Sequence, residues 1–92
     1  MDKTEELLQA ETRKWLAKLE RDFAKAKIPR QTKEVREQLT NIKAYMSDCT
    51  HFLEKGDLVR AFEAAIYAWG IFETLERLDL LRAKRPERRE TI

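Results

Sequence analysis

At 92 residues, with 39% of side chains charged and only two glycines and two prolines, the chain suits one small domain of long helices better than sheet or disorder. Nineteen basic and seventeen acidic residues leave a net charge of +2, too small to define a partner by charge alone. The single Cys49 excludes an intrachain disulfide framework and fits a reducing compartment. No apolar run approaches the ~18 residues of a membrane span, and the N-terminus has no signal-peptide core, so a cytoplasmic protein without a membrane segment is expected. A chain this size buries roughly 65% of its unfolded surface, so its own core gives modest stability and self-association is a live option.

The first helix is predicted over about residues 4–27. Asp2 and Glu5 have capping-box spacing, and Glu5 and Glu6 place negative charge at the positive end of the helix dipole. Leu8, Trp15, Leu16, Leu19, Phe23 and Ala26 fall on one stripe, which Thr12 and Asp22 interrupt or border. Pro29 is expected to stop this helix.

Thr32 is a good N-cap for a second helix over 33–55. Val35, Leu39, Ile42, Met46, Cys49 and Leu53 recur at spacings of three and four, and His51 falls on the far side, towards water. Lys55-Gly56 closes the helix, because glycine takes the left-handed conformation without steric cost. Asp57 then caps a third helix at once, which makes the second and third antiparallel neighbours. The third is predicted over 58–82. Three helices of similar length with short links define an all-α, antiparallel up-down-up three-helix bundle, followed by a basic tail over 86–92.

The third helix has more apolar surface than a bundle helix needs. With Leu58 at 0°, Phe62, Ala65, Trp69 and Phe72 lie within about 40° of it at 100° per residue. A second group, Ala64, Tyr67, Ala68, Ile71, Leu75 and Leu78, lies at about 180–280°. Glu63, Gly70, Thr74 and Arg77 remain for water. Three readings stay open: the first helix lies high on the third and covers the second group, those six residues form an interface with another chain, most simply a homodimer, or the bundle binds a ligand in a pocket beside Tyr67 and Trp69.

The stretch Phe52-Leu53-Glu54-Lys55-Gly56-Asp57-Leu58-Val59-Arg60-Ala61-Phe62, followed by Tyr67-Ala68-Trp69-Gly70, resembles a signature of short archaeal proteins grouped as a domain of unknown function. Ile71-Phe72-Glu73 departs modestly from relatives, which often have Leu-Asp there. The resemblance covers about a quarter of the chain. It implies a helical-bundle fold and no activity, since the family has none established. A weaker likeness, to the second helix of a tetratricopeptide repeat, reflects shared hairpin packing, because such repeats need about three stacked copies.

No enzyme signature stands out. One His and one Cys cannot make a sulfur/nitrogen zinc site, and no metal or cofactor is expected. Cys49 sits on the core stripe, where a thiol packs as a small apolar group. The basic excess lies in residues 82–92, with five basic and two acidic groups. Arg82, Lys84, Arg85, Arg88 and Arg89 could neutralise phosphates, but no aromatic residue is there to stack a base, and Glu87 and Glu90 dilute the charge. The expectation is a non-catalytic protein–protein interaction module that self-associates through the third helix. The alternative is a nucleic-acid-associated accessory protein that uses the tail.

Overall fold

The structure, a computed structural model, describes residues 1–83. It is the expected all-α bundle of three antiparallel helices: α1 (Lys3–Ala24), α2 (Lys33–Lys55) and α3 (Leu58–Arg77). The capping box forms at the start of α1. The Glu5 N–H donates to Asp2 Oδ1 at 2.8 Å, and the Asp2 N–H donates to Glu5 Oε1 at 3.0 Å. Thr32 Oγ1 accepts from the Val35 N–H at 3.1 Å and starts α2. Asp57 Oδ1 accepts from the Arg60 N–H at 3.2 Å and starts α3. Each cap satisfies a backbone donor that the first helical turn leaves open.

Gly56 turns the chain between α2 and α3 at φ 78°, and the Asp57 N–H reaches back to the Phe52 carbonyl at 2.9 Å. This tight reversal sets α2 and α3 side by side along most of their length. α1 lies mainly on α3 and meets α2 only sparingly. The helix α3 is therefore the wall shared by both neighbours.

The core has two continuous halves. Near the Gly56 turn, Leu16 of α1 packs with Cys49 and Leu53 of α2 and with Leu58, Ala61, Ala64 and Ala65 of α3. At the other end, Leu19, Ile42, Ala68, Trp69, Phe72, Leu75 and Leu81 pack together. Two polar side chains are buried with them. The Thr12 hydroxyl donates to the Leu8 carbonyl at 2.7 Å, and Asp22 pairs with Lys18 at 3.7 Å.

Two helix ends differ from the expectation. α3 stops at Arg77 instead of continuing to Arg82, and α1 stops at Ala24 instead of Lys27. One device sets both. Asp79 takes the left-handed φ of 59°, and the Leu80 N–H bonds back to the Leu75 carbonyl at 2.9 Å. The chain then crosses to the α1–α2 connection, where Lys27 and Arg82 exchange two backbone hydrogen bonds, each 2.8 Å. Lys27 must be extended to do this. Had α3 continued, Leu81 would point at about 140°, the direction of exposed Glu63. The turn instead buries Leu81 almost completely, which removes a large apolar side chain from water.

Gly56 is open on all sides, since a Cβ there would meet nothing within 4 Å. Its replacement is opposed by backbone strain alone. Gly56→Val should lower stability by about 1–2 kcal/mol, read from the midpoint of urea unfolding with an unchanged slope.

Candidate functional site

The chemistry-bearing side chains are scattered. Among the described residues, no group of three His, Cys, Asp or Glu side chains could hold a metal ion. His51 is exposed, with its ring 5.4 Å from that of Phe52. Cys49 is fully buried in the core. Burial, reinforced by the negative charge of Glu20 and opposed by Arg13, pushes its thiol from 9.0 up to about 11. That thiol stays protonated and shielded near neutral pH.

The six α3 residues expected at an interface divide between the inside and the outside. Ala64, Ala68 and Leu75 are buried within the chain. Ile71 is half-buried, whereas Tyr67 and Leu78 are 52% and 63% exposed. The helix on this side is α2, not α1. The Tyr67 ring lies 5.3 Å from that of Tyr45, and Val35 and Gln38 of α2 wall a cleft beside it. α1 takes the opposite side, where Trp15 and Trp69 meet edge to face at 5.8 Å. The Trp69 indole N–H also donates to the Trp15 carbonyl at 3.0 Å.

Between these two flanks runs an outward ridge. Val59 is 72% exposed, Ile66 51% and Phe62 37%. Gly70 continues the same line one turn beyond Ile66. A cleft of about 620 Å³ lies on the α2 side, lined by Val35, Tyr67, Ile71, Leu78 and Leu80 among others. A second, of about 590 Å³, lies on the α1 side between Leu7, Leu8, Trp15, Phe62 and Trp69. Ile66 borders both clefts, so the ridge and its flanks form one continuous apolar surface. The residues missed from the sequence are Val59 and Ile66 on α3 and Leu7 on α1, while Phe62 and Trp15, expected on the core-facing stripes, are partly exposed on this surface. Their signal was the three-four spacing of Val59, Phe62 and Ile66, which runs between the Leu58 face and the wedge of Glu63, Gly70, Thr74 and Arg77 assigned to water.

Of the basic residues considered for nucleic acid, Arg82 is held locally. Its guanidinium makes two bonds to the Asp79 carboxylate, at 2.9 and 3.0 Å, and keeps that carboxyl below its usual range. Lys84, Arg85, Arg88 and Arg89 lie outside the described residues. Among the described residues, no helix is long and apolar enough to cross a membrane.

The three-helix bundle has an apolar ridge and, among its described residues, no group that could hold a metal ion. Residues 14–81 match the model of a protein family of unknown function, DUF357, and the chain belongs to that family. It is similar to the crystal structure of protein AF1782 from Archaeoglobus fulgidus, which carries the same family model. The two chains are 38% identical, with a TM-score of 0.76 over 88% of this chain and 99% of the other. No curated protein matches.

The Cys49 environment predicts its reactivity. In the native protein near pH 7.5, a thiol reagent such as Ellman's should react with Cys49 at least about a hundredfold more slowly than in denaturant, because labelling must await local opening. A raised folded pKa also sets a sign. The neutral thiol contributes stability that is fully present below pH 9.0 and is lost as pH rises towards about 11.

Proposed function

We propose that this protein is a non-catalytic interaction module that self-associates through the outward face of α3. The observation that carries the reading is the run of large apolar side chains that α3 leaves in water. Val59, Phe62, Ile66, Tyr67 and Leu78 are between 37% and 72% exposed, on a helix already packed against two neighbours. Scattered apolar residues on a surface are ordinary, but a contiguous patch bordered by polar groups usually marks a contact surface. Most homo-oligomers are closed and two-fold, so one such face on each of two copies is sufficient.

The face differs from the one expected from the helical wheel, and the difference sets the test. Ile66 is exposed and Ala68 is fully buried. Ile66→Glu should therefore give a monomer by sedimentation velocity, with the helical circular dichroism of the wild type. Ala68→Glu should lose on the order of 3–5 kcal/mol of fold stability, because it buries an unpaired charge. A wild-type chain that stays monomeric at millimolar concentration rejects self-association.

A second reading has one observation in its favour. The cleft beside Tyr67 falls in the size range of small-molecule sites. An apolar ligand there would raise the melting temperature of the wild type at a concentration where the chain sediments as a monomer, whereas a second copy of the chain would not.

A further inference from the structure

We infer that two copies meet in a two-fold, antiparallel crossing of their α3 helices at Gly70, with Glu63 of each copy facing Arg77 of the other. The inference rests on the self-association proposed above and gives that contact its register.

Gly70 is the first observation. A glycine inside a helix is unfavourable relative to alanine, so it calls for a local reason. Gly56 has one, in its positive φ. Gly70 has none within the chain: its φ is not positive, and a Cβ built on it would meet nothing within 4 Å. It lies past the middle of α3, on the apolar ridge, with bare backbone facing outwards. What the missing side chain permits is close approach from outside.

The charges are the second observation. Glu63 precedes Gly70 by seven residues and Arg77 follows it by seven, so each stands about 10.5 Å along the axis from the glycine. Seven residues are nearly two turns, which keeps all three on one side of the helix. Both charged residues are exposed, and neither has an ion-pair partner among the described residues. A two-fold axis at Gly70 reverses the order in the second copy. Glu63 then faces Arg77 at one end of the crossing, and Arg77 faces Glu63 at the other. A parallel pairing in register would set like charges together. An axis at Ile66 would leave Glu63 opposite Trp69 and Gly70, and Arg77 without an acid. The charge pattern therefore selects one orientation and one register, which is the usual work of charges at the edge of an apolar contact.

Sedimentation equilibrium on the full chain tests this with three variants. Glu63→Arg and Arg77→Glu should each weaken the dimer on the order of tenfold, because two attractive pairs become repulsive. Combining them should return the dissociation constant to within about threefold of wild type, since the swap rebuilds both pairs. Gly70→Leu should weaken the dimer by at least about tenfold while helicity is kept, because the position is exposed and a Cβ there meets nothing within 4 Å in the monomer. If the double variant is no tighter than the singles, or Gly70→Leu dimerises as tightly as wild type, the crossing at Gly70 is overturned. Self-association would still stand if Ile66→Glu gives a monomer. A monomeric wild type overturns both.

Discussion

The bundle depends on how closely α3 can be approached from two sides. Ala61, Ala64, Ala65 and Ala68 are all buried, and they present almost nothing but backbone and methyl groups to the neighbouring helices. Helix axes usually pack 8–10 Å apart, with the distance set by the side chains at the contact. An alanine face permits a close approach of α2, which suits the tight Gly56 turn. Larger residues fill the other half of the core. Trp69, Phe72 and Leu75 occupy the half of the core away from the turn, with Trp69 and Phe72 edge to face at 5.6 Å. Swelling the alanine face would push α2 away from all of these contacts at once.

That dependence shows which parts of the structure could be read from sequence. Capping is local. Asp2 with Glu5, Thr32 before α2, and Gly56 with Asp57 each act within four residues, and each places its helix end where the spacing puts it. The ends of α1 and α3 are not local. Lys27 and Arg82 are far apart in sequence, and neither carries a mark that its backbone will pair with the other. Leu81 looked like the last apolar position of a helix, yet it enters the core by leaving that helix. Periodicity also showed that α3 has more apolar surface than two neighbours need, but it left out Val59 and Ile66 and could not assign the rest. A wheel shows that Ala64, Ala68 and Leu75 share a direction with Tyr67 and Leu78. Only the placement of α2 shows that the first three are taken inside and the last two stay on the rim.

The distribution of size along α3 bears on function. The positions turned to the core include four alanines, while Val59, Ile66, Tyr67 and, at the C-cap, Leu78 are more than half exposed and Phe62 is partly so. A helix selected only to stabilise a monomer would do the opposite, with large apolar groups inside and small or polar ones outside, since buried apolar area is what stabilises a fold. A domain of this size has little core to spare. Closeness of packing explains the alanines. It does not explain the residues outside, because polar side chains on the outward face would leave the alanine contacts intact. Their cost is unfavourable hydration in the free chain. The apolar ridge and the bare backbone of Gly70 lie on the same face, which is the ground on which self-association is proposed.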